Sequence, residues 1–220
     1  MDAINDYYME ELDLSAMKRF FLEQGERRIL EKQDYFVRQG ERSGRVAYVE
    51  DGMFRFVRTD TKGGEHIVGY SFRDSFVAEY TSCLCGRPAL ADVQAIVRST
   101  LYVLPYEKLR RYWEMSSEHQ RLGRVVAEQL FVMTYRRLMD SYCCTPEERY
   151  MDLMRRYPEL KEQRPLKEIA SFIGVTPETV SAIRKKLLKS GISLNTSRKI
   201  RRLPFNFARK SKVEIKCKRQ

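Results

Sequence analysis

The stretch at residues 165–187 reads PLKEIASFIGVTPETVSAIRKKL and carries the signals of two short helices around a tight turn. Gly174 stands where a helix must end in a left-handed residue, a conformation that glycine adopts without strain. Thr176 and Pro177 follow as an N-cap and a first-turn residue, so a second helix begins sharply. The stretch therefore predicts a helical hairpin. By itself it does not decide between a hairpin that binds DNA and one that only packs a core.

The spacing of small and apolar residues favours a hairpin that binds DNA. Counted from Leu166, the small residue Ala170 is fifth, Gly174 is ninth, and Val180 and Ile183 are fifteenth and eighteenth. This spacing is typical of the helix-turn-helix motif, in which the small residue lets the two helices cross closely. The second helix is then the candidate recognition helix.

The outward face of the second helix carries the candidate base-reading side chains. With Ile183 and Leu187 turned inward, a rotation of about 100° per residue turns Glu178, Lys185 and Lys189 outward. A glutamate in a major groove accepts from cytosine, and a lysine contacts guanine or phosphate. The predicted DNA-contact residues are Thr176, Glu178, Thr179, Ser181, Arg184, Lys185, Lys189, Arg198 and Lys199.

The charge of the chain is concentrated at the same end. The net charge is +11, and residues 184–220 hold 14 Lys and Arg against one Asp or Glu. A polyanion is the natural partner of such a segment, because phosphate neutralisation releases counterions. A solvated basic tail is the alternative. We expect double-stranded DNA.

Composition excludes several other classes of protein. The 220 residues are 43% hydrophobic and 32% charged, which is typical of a globular protein. No apolar run reaches the ~18–20 residues of a membrane span, and no signal peptide is evident, so we expect a cytoplasmic protein without a membrane partner. The spacing of the cysteines favours neither a disulfide framework nor a zinc site, and we predict no metal and no cofactor; they are Cys83, Cys85, Cys143, Cys144 and Cys217.

The N-terminal half has the pattern of short strands. From Ile29 to about Leu104, apolar and polar residues alternate in runs of four to six. Glycines separate these runs, where turns require positive φ, at positions 40, 44, 52, 63 and 64. The pattern predicts a small antiparallel roll, preceded by a helix.

A long helix is predicted from Tyr106, because turn signals become rare and apolar residues recur at spacings of three and four. A small roll cannot cover such a helix along its whole length, so we expect self-association through it; a helix folded back on its own domain is the alternative. The predicted dimerisation residues are Leu122, Val126, Leu130 and Met133.

These observations predict an α+β protein of four parts. They are a β-roll sensor domain with flanking helices at 1–105, a central dimerisation helix at 106–144, a helix-turn-helix domain at 145–200 and a basic tail at 201–220. A roll, a long helix and a helix-turn-helix in this order resemble the Crp/Fnr family of bacterial transcription regulators. The likeness covers roughly residues 20–200 and is strongest over 147–187, which is similar to members from the Bacteroidetes.

The resemblance implies a cyclic-nucleotide-binding-like roll, a homodimer and a winged helix-turn-helix. It also implies base reading by an Arg-Glu pair and a later arginine, whose positions here hold Pro177, Glu178 and Ala182. Only the glutamate is kept, so we expect an operator different from the family's best-known one.

The sensor stretch departs further from the family's pattern. A Gly-Glu start and a later Arg-Ser or Arg-Thr pair would bind the cyclic phosphate, but Ala78-Glu79 and Ala89-Leu90 occupy those positions. Glu79 and Arg87 remain the candidate ligand-binding residues. We predict no conventional cyclic AMP binding and leave another small-molecule effector open. The family's N-terminal cysteine cluster for an iron–sulfur centre is also missing, because no cysteine precedes Cys83.

Two rival functions remain for this sequence. The first is a small-molecule sensor whose basic helical domain binds an acidic protein instead of DNA. The second is an enzyme, which we do not expect, because no Ser/His/Asp pattern or phosphate-binding glycine loop occurs and the pair Gly63-Gly64 is explained by a hairpin turn. We predict no catalytic residues.

Overall fold

The computed structural model describes residues 13–157, 160 and 164–190. Eight strands and seven helices follow one another in the described part of the chain. The strands are β1 (Glu26–Leu30), β2 (Tyr35–Val37), β3 (Arg45–Asp51), β4 (Met53–Thr59), β5 (Glu65–Phe72), β6 (Ser75–Val77), β7 (Asp92–Ala95) and β8 (Ser99–Pro105). The helices are α1 (Ser15–Gln24), α2 (Tyr80–Cys85), α3 (Tyr106–Glu114), α4 (Ser117–Cys143), α5 (Pro146–Arg156), α6 (Leu166–Ile173) and α7 (Pro177–Lys189).

The strands form an antiparallel roll of two four-stranded sheets. Their orders are β1-β8-β3-β6 and β2-β7-β4-β5. Alternate side chains of both sheets point inward and are fully buried, among them Val49, Phe54, Val93 and Leu101. The predicted α+β fold with an antiparallel roll is confirmed.

The predicted turn glycines divide into two groups. Gly40, Gly52 and Gly63 have positive φ, at 85°, 124° and 80°. Gly44 and Gly64 do not. The expectation of positive φ was therefore right for three of the five, and a glycine between strands is not by itself evidence of a left-handed residue.

Two helical features differ from the sequence-based expectation. Helix α2 was not predicted; Glu79 caps its start and Gly86, at φ 61°, ends it. The helix expected from Tyr106 is interrupted, because the Ser116 side chain accepts from the His119 N–H and begins α4 as a separate helix.

The C-terminal helices pack against the roll and not only against one another. Helix α5 begins with a capping box, in which Thr145 and Glu148 satisfy each other's backbone N–H groups. One buried cluster joins residues of the roll, such as Phe72, to residues of the helices, such as Leu153 and Ile169. The two parts of the chain therefore share a hydrophobic core.

Candidate nucleic-acid interface

The turn between α6 and α7 has the geometry that the sequence predicts. Gly174 has φ 70° and ends α6, and the N–H of Val175 donates to the Ala170 carbonyl at 2.9 Å. The Thr176 hydroxyl then accepts from the N–H of Thr179 at 3.3 Å and caps α7. Both helices bury one apolar face, formed by Ile169, Ala170, Ile173, Val180, Ile183 and Leu187. The direction of α7 is thus fixed by the turn and by the core.

The outer face of α7 is open to solvent. Glu178, Ala182, Lys185 and Lys189 are exposed, as the helical spacing predicts. Of the other predicted contact residues, Thr176 is also exposed, whereas Thr179 and Ser181 are half-buried. Arg198 and Lys199 lie outside the described residues, as does the segment expected to form a wing.

Arg184 is turned away from this face. Its Nε donates to the Tyr150 hydroxyl at 2.9 Å, and Tyr150 is fully buried in α5. The guanidinium therefore joins α7 to α5 within the domain. Among the predicted DNA contacts, Arg184 is thus one whose side chain is bonded within its own domain.

Lys186 was missed by the sequence reasoning. It forms an ion pair with Glu147 of α5, and its side chain remains 66% exposed. An open groove along α7 is lined by Ala182, Lys185, Lys186, Lys189 and Ser190. The adjacent lysines at positions 185 and 186 were the available signal, since both lie outside the buried stripe of α7.

The charges at the two ends of α7 suit an interface with DNA. The backbone N–H of Glu178 and then the Thr176 hydroxyl hold the pKa of the Glu178 carboxyl below its usual value. The carboxylate is therefore ionised at neutral pH and acts only as an acceptor. The lysines lie in the last turns of the helix, where cations are favoured by the helix dipole.

Helix α4 exposes an apolar stripe that differs from the predicted one. Leu122 packs against a core cluster of its own chain, and Val126, Leu130 and Met133 are half-buried. The exposed stripe lies on roughly the opposite side of the helix and recurs at spacings of four, three and four. It consists of Phe131, Tyr135, Leu138 and Tyr142.

Of the two candidate ligand residues of the roll, Glu79 has a structural role and Arg87 has an exposed side chain. The Glu79 carboxylate is buried and accepts from the N–H of Ser82 at 2.7 Å, so it serves as the N-cap of α2. Arg87 is exposed, and its backbone carbonyl accepts from the Ser82 hydroxyl at 2.7 Å. Glu79 thus stabilises the short helix that lies between β6 and β7.

This part of the chain matches a known domain family. Residues 27–116 match the family model for the cyclic nucleotide-binding domain. A search of curated protein sequences found no significant match.

Solved structures resemble about three quarters or more of the chain. FixK2 from Bradyrhizobium japonicum is 16% identical, with a TM-score of 0.64 over 76% of this chain and 86% of that one. The c-di-GMP-responsive global regulator CLP from Xanthomonas campestris is 19% identical, with a TM-score of 0.62 over 81% and 93%. A CRP/FNR-family transcriptional regulator from Thermus thermophilus is 20% identical, with a TM-score of 0.57 over 76% and 87%. These likenesses establish the fold.

In the roll, the position at which the family resemblance leads us to expect a buried arginine carries no positive charge. Ala89 occupies that position, is 3% exposed and packs in the cluster that contains Phe36 and Val93. Leu90 is exposed. An aliphatic wall cannot neutralise a cyclic phosphate, so the absence of conventional cyclic AMP binding remains our prediction.

Two further kinds of site are missing from the described part of the chain. Among residues 13–157, 160 and 164–190, no three His, Cys, Asp or Glu side chains lie close enough to hold a metal ion. Over the same residues, no helix combines the length and the apolar character needed to span a membrane.

Proposed function

We propose that this chain is a sequence-specific DNA-binding transcription regulator that acts as a homodimer and reads DNA with α7. The observation that carries the proposal is the exposed face of α7, which presents the ionised Glu178 and the lysines at 185 and 189. The position of this helix is fixed by its N-cap and by its buried apolar side. Residues 184–220 hold 14 basic side chains in all, including these two lysines. The resemblance to the global regulator CLP and to a CRP/FNR-family transcriptional regulator agrees with it. With DNA as partner, we expect a cytoplasmic location and no enzymatic activity.

Selection of bound sequences from random duplexes tests this function. We expect a two-fold symmetric site with half-sites about one helical turn apart. Lys185→Ala and Lys189→Ala should each weaken binding about tenfold and lower the salt dependence of the affinity, because each removes a contact with phosphate or guanine. Fluorescence anisotropy over a salt series measures both effects.

Lys62→Ala, at the exposed β4–β5 turn, is the matched control and should bind like the wild type. Selection without enrichment, or an affinity that does not change with salt, would contradict the proposal. Capture of an acidic protein by the same lysines would instead support the rival sensor function.

We place the dimer contact on the exposed stripe of α4. A helix of 27 residues with no fully buried side chain lacks cover in a single chain. An isologous contact must be complementary to itself, and most positions beside the stripe are uncharged. The uncharged ones are Ala127, Thr134 and Ser141 on one side and Val132 and Met139 on the other, and the charged Glu128, three residues before Phe131, is paired with Arg124. A second copy of the chain can therefore approach with little charge repulsion, and it would continue the stacking of Phe131 on Tyr135.

Substitution of the stripe tests this placement. Tyr135→Glu should convert the dimer to a monomer in sedimentation velocity, because it would place two carboxylates in an apolar contact. Arg136→Glu, on an exposed position outside the stripe, should remain dimeric. A dimer that survives Tyr135→Glu but not Leu130→Glu would return the contact to the face that the sequence predicted.

A further inference from the structure

Strand β5 forms the edge of its sheet, and its outer side is occupied by helices from the C-terminal half of the chain. The N–H of Ile67 donates to the Ser171 hydroxyl of α6 at 2.8 Å. The carbonyl of the next residue, Val68, accepts from the Arg137 guanidinium of α4. Two successive backbone groups of one edge strand are thus bonded to two different helices.

An ion pair joins the same helix to the neighbouring strand. Arg55 of β4 donates to Glu168 of α6 at 2.6 Å, with side-chain exposures of 22% and 13%. Arg164 donates to the other oxygen of Glu168 at 2.7 Å, and Gln94 accepts from Arg55 at 2.7 and 3.0 Å. Separation of α6 from the roll would break the Arg55–Glu168 pair and leave Arg55 poorly solvated beside Gln94.

Aromatic rings fill the space between these polar contacts. Tyr70 of β5 lies 5.4 Å from Phe172 of α6, measured between ring centroids. Phe72 stacks on Tyr157 at 5.3 Å and 17°. Arg137 lies over the Phe172 ring, with its Cζ atom 4.4 Å from the centroid. These ring contacts are sensitive to small displacements of α6 relative to the roll.

We propose that these groups form one positioning contact, the roll–helix contact, consisting of Arg55, Arg137, Glu168 and Ser171. It fixes α6 on β5, and α7 follows because it shares a core with α6. In a dimer the two rolls then determine the separation of the two α7 helices. The inference rests on the proposed function and adds a structural cause for the spacing of the half-sites. Arg137 links α4, the proposed dimer helix, to the roll through Val68 and to α6 through Phe172.

Paired arginine substitutions test the contact. Arg55→Met and Arg137→Met remove donors of the roll–helix contact while keeping the side chains long. Their controls are Arg98→Met, from an exposed ion pair of the roll, and Arg124→Met, from an exposed pair on α4. All four proteins are studied as full chains.

The first measurement does not involve DNA. Amide hydrogen exchange at Ile67 and across α6 should become about tenfold faster in both contact variants, with the inner strands of the roll unchanged. The two control variants should exchange like the wild type. Unchanged exchange in Arg55→Met and Arg137→Met, or equal acceleration in the controls, would overturn the inference whether or not the protein binds DNA.

The second measurement uses the selected duplex with its half-site spacing altered by two base pairs. The wild type and the controls should lose at least tenfold in affinity, whereas the contact variants should lose less than threefold, because their α7 helices can move. An equally sharp spacing preference in all five proteins would overturn the inference. If no duplex binds any of them, the proposed function fails while the exchange result still decides the contact.

Discussion

At the scale of single residues, Asp152 of α5 is a carboxyl whose surroundings oppose its charge. Burial raises its pKa from 3.8 to about 6, Arg155 counteracts this, and Asp140 of α4 reinforces it. The Arg155 Nη1 atom lies 3.7 Å from the Asp152 Oδ1 atom. The folded state therefore binds the Asp152 proton more tightly than the unfolded chain does, and the charged form costs stability.

We predict that Asp152→Asn makes the protein less sensitive to pH. Because the folded-state pKa lies above the unfolded one, the stability of the wild type falls as the pH rises from about 4 to 6, by at most about 3 kcal/mol. The variant should not show this loss and should be the more stable protein at pH 7. Urea unfolding across this pH range measures the effect, with the exposed Glu23→Gln as control. Parallel curves for wild type and Asp152→Asn would contradict it.

Arg184 and Lys185 show what the sequence reveals about single side chains. Helical spacing placed Lys185 outside correctly, because the apolar stripe of α7 defines its own opposite face. It could not show that Arg184 bonds to Tyr150, since that partner comes from another helix 34 residues earlier in the chain. For a residue at the margin of an apolar stripe, contacts with other helices decide whether the side chain points inward or outward.

At the scale of elements, the α6–α7 turn depends on Gly174. Its φ of 70° lies in the left-handed region, and a Cβ atom there would meet no other atom within 4 Å. The cost of a side chain at this position is therefore conformational and not steric.

We predict that Gly174→Ala lowers the free energy of unfolding by about 1 kcal/mol, the cost of a left-handed alanine. Gly44→Ala is the matched control, because its surroundings are equally open and its φ is not positive. Chemical denaturation of both variants measures the difference. Equal stabilities would show that the turn tolerates a side chain in another conformation.

Local signals predicted boundaries of the C-terminal helices. The caps at Thr145, Gly174 and Thr176 were readable because each is a short-range hydrogen bond or a backbone preference. The break at Ser116 was not predicted, because serine also occurs inside exposed helices and no proline or glycine marks the break. The exposed stripe of α4 was hidden for a related reason. The helix carries apolar residues on more than one side, and only the fold shows which side its own chain covers.

At the scale of the whole molecule, the interior of the roll bears on whether it can bind a cyclic nucleotide. The aliphatic side chains around Ala89 leave no buried cation for a cyclic phosphate, and Glu79 is used as a helix cap. The antiparallel roll was predictable from strand patterns, whereas the core shared by the roll and helices was not, because it joins Phe72 to residues about 80 to 115 positions away.

We predict that isothermal titration calorimetry with cyclic AMP shows a dissociation constant of millimolar or weaker. The reason is the missing charge complementarity at Ala89 and Leu90. Ala89→Arg tests the reverse change, and any gain in affinity should appear together with a loss of stability, since the position is buried. A micromolar dissociation constant for the wild type would contradict the prediction.

The covered edge of β5 also bears on the solubility of the protein. An uncovered edge strand presents unpaired N–H and C=O groups on which a strand of another molecule can add. Ser171 and Arg137 now satisfy two of these groups. Any state in which α6 leaves the roll exposes them together with the rings of Tyr70 and Phe72, so a mutation that frees the helices also creates a surface for aggregation. Selection against aggregation and selection for a fixed operator spacing would then preserve the same side chains.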